Sequence, residues 1–507
     1  MRSSGVTPEM LRTLRRPTVV RMPTQSRDDD LALPIKLGPC SNGEFLPLPA
    51  SPVATETIRR TRAEADREAR RLGVPRRTFL RSVAGAALML GVLDRTALEA
   101  GGAGGGRYRL PFDAAHDLDA ARSVLGGDEL IFDVQVHYLN FDLDEPGSLS
   151  IGSLFPQQDC GETDPRACFA VDYVVEEMFL KSDTDMVVMS AIPIPGEGNP
   201  LSIDDMETVK RIMTELCGRG RVLIQGQTFP SIGEAAQQLD EMRALRADHK
   251  IGAWKVYTHA GGPPWWLDDH EPGVAQAGTA FLDNVREVGP KIVAVHKGFG
   301  LVGGPNREYA SPVDIGPVAA ANPDIDFVVY HSGYEPGGNE GPYTPETADV
   351  GVNRLITSTR AAGIGRGDNV YAELGSTWRS VMADPDQGAH VLGKLLAEYG
   401  PDNVVWGTDS IWYGSPQDQI QALRAFEISD ELQERFGYPA LTKRVKEKIF
   451  GLSSARLYGA KPKRAACEFT REELEDVRQA LPTGMRTLGP RTVDATRALI
   501  AAHGGIL

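Results

Sequence analysis

Cysteine is sparse in this chain: five in 507 residues, at positions 40, 160, 168, 217 and 467. None stands in a Cys-x-x-Cys pair or a Cys/His finger spacing, so no structural zinc module is signalled. No apolar run reaches the about 18 residues that a membrane-spanning helix needs, which excludes a stable span. Basic side chains are in deficit, 54 against 69 acidic, for a formal charge of −15. That balance argues against a nucleic-acid-binding surface and against adhesion to anionic lipid. Histidine is scarce as well, nine in all, so where the histidines fall is informative. What remains is ordinary globular material, 41% hydrophobic and 24% charged. The length suits one large barrel-type domain with appendages, or two to three smaller domains.

The charge is unevenly spread. Residues 1–77 carry fifteen basic and nine acidic side chains, a local excess of +6. Residues 1–75 contain Pro, Arg and Ser without a sustained period and read as a disordered leader. Residues 76–107 then run "RRTFLRSVAGAALMLGVLDRTALEAGGAGGGR". Arg76-Arg77-x-Phe79-Leu80-Arg81 before a weakly hydrophobic Ala/Gly-rich core resembles a twin-arginine export signal. The resemblance implies the twin-arginine translocase as a partner and a periplasmic or extracellular location. The leader ahead of the pair is longer than usual, and no A-x-A cleavage site follows. The alternative is a basic helix start, an apolar helix and a cytoplasmic protein. In an exported chain Cys160 and Cys168 are a candidate bridge, with two free thiols the other reading. "AGGAGGGR" (100–107) reads as a flexible joint.

From about residue 128 the pattern is regular. Short apolar runs recur: "LIFDVQVHY" (130–138), "TDMVVMSAI" (184–192), "RVLIQGQTF" (221–229), "IGAWKVYTH" (251–259), "KIVAVHKG" (291–298), "DFVVYHSG" (326–333), "NVYAELGS" (369–376) and "NVVWGTDS" (403–410). Helix-like segments such as "SIDDMETVKRIMTELCGRG" lie between them. Continuous apolar strands alternating with helices indicate a parallel sheet with crossover helices. Eight in series predict an α/β fold, a (β/α)8 TIM barrel over 128–460. A doubly wound open sheet is the competitor, but its Gly-rich phosphate turn after the first strand is missing. Residues 461–507 read as a helical C-terminal tail, with a Thr470/Glu473 capping box opening "TREELEDVRQAL". A lid, a homo-oligomer contact and a plain packing helix are all open for it.

In such a barrel the chemistry sits at the C-terminal ends of the strands. Those ends carry Gln135 and His137 on the first strand, Lys255 and His259 on the fourth, His296 on the fifth, His331 on the sixth, Glu373 on the seventh and Asp409 on the eighth. A lone histidine there is more often a satisfied core residue than a ligand. Three histidines and an aspartate converging on one rim reverse that expectation, because each would cost several kcal/mol if buried unpaired. A divalent cation takes such groups as neutral imidazoles and an ionised carboxylate.

These pieces resemble the amidohydrolase-related family, in the branch holding metal-dependent hydrolases and the aminocarboxymuconate-semialdehyde-type and resorcylate-type decarboxylases. "FDVQVHYL" is similar to its first-strand metal motif, His296 and His331 to its fifth- and sixth-strand ligands, and "VVWGTDSIWYGSP" to its eighth-strand aspartate and following loop. "IFGLSSARLYGA" (449–460) matches its closing helix. The likeness spans two thirds of the chain, 128–460. The family places His-x-His on the first strand, and here the first of the pair is Gln135, with a carboxylate found there in some decarboxylases.

The resemblance implies one divalent ion, zinc with manganese as the alternative, on His137, His296, Asp409 and the weakly ligating oxygen of Gln135. Asp409 and His331 would be catalytic, Asp409 moving a proton and His331 steadying a developing oxyanion. Lys255 and Trp412 would contact a small substrate, the lysine facing a carboxylate and the tryptophan walling a ring, together with "GGPPWWLDD" (261–269). A structural ion pair and a carboxylated, metal-bridging lysine are the alternatives for Lys255. Rim packing is the alternative for the aromatics. Three functions are therefore carried forward: metal-dependent hydrolysis of a carbonyl-type bond, non-oxidative decarboxylation on the same barrel, and a non-catalytic exported binding protein whose metal site has decayed.

Overall fold

A computed structural model of the chain describes residues 33–38, 41–45, 49–140, 168–196, 199–463, 469–470 and 473–474. Its centre is an eight-stranded parallel sheet in simple sequential order. The strands are β1 (Phe132–Val136), β2 (Met186–Met189), β3 (Val222–Gln227), β4 (Ile251–Tyr257), β5 (Ile292–His296), β6 (Asp326–Tyr330), β7 (Val370–Glu373) and β8 (Val404–Val405). All eight fall within the runs named above. The sheet closes between β1 and the chain leaving β8: Val134 N donates to Trp406 O at 3.0 Å, and Asp409 N to Gln135 O at 3.0 Å. The fold is the expected (β/α)8 barrel.

Strand alternation sorts the side chains into two shells. Val293, Val295, Phe327, Val329, Val370 and Ala372 join the core beneath the helices. Phe132, Val134, Val188, Ala253, Ala294 and Val328 form a second, smaller cluster. Two residues further along the same strand faces stand Lys255, His296 and Tyr330, so the apolar filling gives way to polar groups toward the C-terminal mouth. Tyr330 is tied across the barrel, accepting from Gln225 Nε2 at 2.6 Å and donating to Val134 O at 2.5 Å.

Residues 52–99, which the leader and signal readings covered in part as disordered, are folded into helices. Pro52–Leu72 is a 21-residue helix, α1, capped by Ser51 at its start and by Gly73 at its end. Its buried stripe is Ala54, Thr57, Ile58, Thr61, Ala65, Glu68 and Ala69, a helical spacing built almost entirely from small or polar residues. Low hydropathy concealed the period. Arg76–Leu80 forms a short helix, α2, with both arginines exposed, and Val83–Glu99 forms α3. The segment resembling an export signal is packed into the protein, with Ala84, Met89, Leu90, Val92 and Leu93 at most 1% exposed.

Nor is the glycine run a free joint. Asp386 accepts from Ala103 N and Gly105 N, and Gly106 begins a short strand (Gly106–Tyr108) paired antiparallel with Phe426–Ile428. A Cβ on Gly106 would meet Pro385 O at 2.0 Å, so close approach explains the missing side chain. Cys168 and Cys217 are both disulfide-bonded, while Cys160 lies outside the described residues. The Thr470 box is present, with Glu473 N donating to Thr470 Oγ1 at 3.1 Å, but most of the tail lies outside the described residues. Among the described residues no helix is long and apolar enough to cross a membrane.

Candidate metal centre at the barrel mouth

The predicted strand-end residues do meet. His137, His296, His331 and Asp409 are all buried at the mouth, together with Gln135, Lys255 and Glu373. The backbone there is under tension. His331, Ser332, Ser376 and Asp409 hold φ of 65°, 52°, 56° and 58°, a region costly for side-chain-bearing residues and concentrated at functional sites. Hydrogen bonds hold these turns in place. Glu373 accepts from His331 N at 2.9 Å and Gly375 N at 2.6 Å, and Ser332 Oγ donates to Glu373 O at 2.7 Å. Asp133, on β1 with Gln135 and just before His137, ties the strand to the β8 end by accepting from Thr408 N at 3.1 Å and from the Thr408 hydroxyl. Its place is structural.

Within the mouth two subgroups separate. In the first, Asp409 gathers five donors. Its Oδ1 accepts from Gln135 Nε2 at 2.9 Å and Trp412 Nε1 at 3.2 Å, and lies 3.2 Å from His137 Nε2. Its Oδ2 accepts from Asn42 Nδ2 at 2.8 Å and Ser376 Oγ at 2.6 Å. Burial pushes the Asp409 carboxyl up, but these donors, His137 foremost, outweigh it and hold the group below the ordinary carboxylate value. It is an ionised, well-satisfied carboxylate.

The second subgroup is Glu44, His296 and His331, each offering one ligand atom, all within 4.8 Å of one another. His296 Nε2 donates to Gly298 O at 2.8 Å, which leaves Nδ1 facing Glu44 Oε1 at 3.4 Å. His331 Nδ1 donates to Gly375 O at 2.7 Å, which leaves Nε2 facing Glu44 Oε2 at 3.7 Å. A carbonyl oxygen can only accept, so each ring is fixed with its unprotonated nitrogen toward the centre, as second-shell carbonyls fix ligating imidazoles. That of His296 is without a hydrogen-bond partner, and that of His331 lies 3.4 Å from Gln135 Nε2. Burial lowers His331 to about 4 and His296 well below its ordinary value, so both rings are neutral at neutral pH. Two neutral imidazoles and a carboxylate, converging and held from behind, fit a divalent ion.

This arrangement changes several assignments. Gln135 was expected to lend its oxygen. Instead Nε2 points to the centre, 2.9 Å from Asp409 Oδ1, 3.4 Å from His331 Nε2 and 3.5 Å from His137 Nε2, while Oε1 has no hydrogen-bond partner. An amide NH2 has no lone pair to give, so Gln135 serves here as a donor. His137 faces Asp409 and stacks on Trp412, with ring centroids 5.7 Å apart. His331, expected to steady an oxyanion, presents an unprotonated nitrogen rather than an N–H to the centre and could serve as a ligand.

Lys255 makes no ion pair among the described residues. Its Nζ lies 3.8 Å from the Tyr330 ring centroid and 4.4 Å from that of Tyr257, without a hydrogen-bond partner. Burial lowers it to about 7. Trp412 braces Asp409 and packs on Phe169. Trp265 and Trp266 of the "PPWW" stretch are tied to Tyr257 O and Glu271, which makes them rim packing.

Asn42 and Glu44 escaped the sequence reading. They sit in "SNGEF", about 90 residues before β1, inside what read as leader, and nothing in their spacing marks them. Asn42 Nδ2 also reaches Glu44 Oε2 at 2.6 Å, so one amide bridges the two carboxylates.

The sequence matches the family model described as Amidohydrolase over residues 163–460, more than half of the chain. No curated protein matches it. Among solved structures, a TIM-barrel protein of Bordetella bronchiseptica is 14% identical with a TM-score of 0.42, over 65% of this chain and 98% of that one. A 5-carboxyvanillate decarboxylase of Sphingomonas paucimobilis is 12% identical with a TM-score of 0.38, over 66% and 99%. A candidate 2-pyrone-4,6-dicarboxylic acid hydrolase of Pseudomonas putida is 14% identical with a TM-score of 0.37, over 66% and 99%. From the family match, the chain belongs to the amidohydrolase family.

Proposed function

We propose that this protein is a metal-dependent enzyme that hydrolyses a carbonyl-type bond in a small, carboxylated substrate. The observation that carries the reading is the convergence of Glu44, His296 and His331 within 4.8 Å, with both imidazoles neutral and oriented. A divalent ion held there would act as a Lewis acid and lower the pKa of water toward 7. The neighbouring groups have distinct tasks. Asp409, ionised and at hydrogen-bond distance from His137, accepts the proton of the attacking water and returns it to the leaving group. Lys255, buried with a free Nζ, pairs with a substrate carboxylate, which raises its affinity for a proton again. A cavity of about 710 Å³, bordered by Phe45, Tyr334, Arg379 and Tyr413, lies beside the mouth, and Glu44, His296, His331, Asp409 and Lys255 are not among the residues that line it. Tyr413 OH lies 2.6 Å from Ser376 Oγ, one hydrogen bond from Asp409.

Decarboxylation is the second reading, and the unpaired Lys255 favours it equally, since a cation that grips a carboxylate serves either reaction. The experiment is to incubate metal-stripped and zinc- or manganese-restored protein with small aromatic carboxylates and their lactones or esters, in water enriched in heavy oxygen. Ion-dependent incorporation of solvent oxygen supports hydrolysis, and ion-dependent release of carbon dioxide supports decarboxylation. Turnover that is indifferent to the ion counts against the metal-dependent reading, and turnover absent with every substrate counts for the decayed binding barrel. We also propose export, on the Arg76-Arg77 pair, which stands exposed, and on the bonded Cys168 and Cys217, which suit an oxidising compartment.

A further inference from the structure

The barrel by itself does not complete the ion site. At the first strand, where a ligating side chain is needed, Gln135 presents an NH2 group to the His331 imidazole and the Asp409 carboxylate. The barrel's own carboxylates at the mouth, Asp409 and Glu373, have both oxygens occupied by donors. The carboxylate that faces His296 and His331, Glu44, comes from outside the barrel, from an N-terminal arm comprising residues 33–38 and 41–45.

The arm is anchored at several points. Leu33, Ile35 and Leu37 are buried, and Lys36 pairs with Asp418 at 3.3 Å. Arg379 donates to Gly38 O at 3.3 Å, Leu301 N donates to Glu44 O at 3.2 Å, and Phe45 packs on Phe299 with ring centroids 5.3 Å apart. Asn42, 5% exposed, aims Glu44 by accepting its N–H at 2.9 Å and holding its Oε2. Glu44 is placed where a carboxylate is unwelcome unless a cation joins it. Its side chain is 15% exposed, its ion-pair neighbours are two histidines, and no Lys or Arg lies within 4 Å of it among the described residues.

We infer that the metal centre is bipartite: Glu44 is a ligand delivered by the arm in place of the one that Gln135 does not supply, and the ion clasps the arm to the barrel. This rests on the metal-dependent reading above and adds a regulatory consequence. Ion loading and arm docking are one linked equilibrium, so each strengthens the other by the same factor. Loss of the ion loosens the arm over the mouth, and displacement of the arm weakens the ion.

The test uses the full chain, stripped of metal and titrated with zinc or manganese by calorimetry. The wild type, Glu44→Gln, Glu44→Asp and His296→Ala are compared, with amide hydrogen exchange of residues 33–45 followed in parallel. The wild type is expected to bind one ion and His296→Ala to lose it. Glu44→Gln should bind at least about tenfold more weakly, the least that loss of a supporting group costs such sites, and Glu44→Asp should fall between. The ion should slow exchange of the arm in the wild type and leave it unchanged in Glu44→Gln. Metal-free Glu44→Gln should melt no lower than the metal-free wild type, since a buried carboxylate has become neutral, which a purely structural glutamate would not allow. Wild-type affinity in Glu44→Gln, or arm exchange indifferent to the ion, overturns the inference while leaving the metal reading intact if His296→Ala still loses the ion. A wild type that binds no ion overturns both.

Discussion

Gln135 Nε2 donates to Asp409 Oδ1 across the seam where the barrel closes, 2.9 Å from β1 to the chain beyond β8. The same nitrogen lies within 3.5 Å of His137 and His331, so one neutral amide occupies the middle of the predicted ligand set. Gln135→His replaces that donor with a lone pair where an ion can use it. Metal affinity measured by titration should rise, because imidazole is a far better ligand than an amide for zinc. A variant with unchanged affinity would place Gln135 outside the reach of the ion.

Asp409→Asn should abolish turnover while sparing the fold. Asparagine tolerates the left-handed φ of 58° at this position. One of its two groups becomes an NH2 facing donors that formerly pointed at oxygen, at a cost of about 1–3 kcal/mol. Chemical denaturation and steady-state kinetics together check this. Retained activity would remove Asp409 from the proton transfer.

Lys255 gives the metal-free protein a pH signature. Its folded-state pKa, lowered to about 7, lies below the 10.5 of the unfolded chain. Between those values the unfolded chain holds a proton that the folded chain has released, so stability rises with pH across the window. Below it the cost of burying the cation is fully present. Lys255→Met removes the group. The variant should melt above the wild type at pH 6, and the difference should shrink toward pH 10. A difference independent of pH would mean that Lys255 is charged, or neutral, throughout.

The architecture was legible from the chain because each barrel strand is an unbroken apolar run, and eight of them allow few alternatives. His296, His331 and Asp409 were legible for a related reason: they follow those runs directly, and parallel strands must bring their ends together. Glu44 and Asn42 were not, because contacts made about 90 residues away from β1 leave no local period. The helix Pro52–Leu72 was missed because its inward stripe is mostly Ala and Thr, with Ile58 its one large apolar side chain, and α3 because an Ala/Gly-rich apolar helix looks the same whether it is read by a translocase or packed in a core.

That last ambiguity can be resolved. Arg76 and Arg77 are exposed, so replacing both with Lys should stop translocation and leave the melting temperature unchanged. Leu90 is fully buried, so Leu90→Ala should cost about 2–5 kcal/mol in the mature protein. Export of the doubly substituted protein would refute the twin-arginine reading. An exported form that lacks residues 83–99 and is equally stable would show that α3 is dispensable.

The most direct measurement is anomalous diffraction from crystals soaked in zinc or manganese. One peak is predicted, bonded to Glu44, His296 and His331 at about 2.0–2.2 Å as for zinc with nitrogen and carboxylate ligands, beside an Asp409 that keeps its donors. A peak held by His137 and Asp409 without Glu44, or no peak at the barrel mouth, would contradict it.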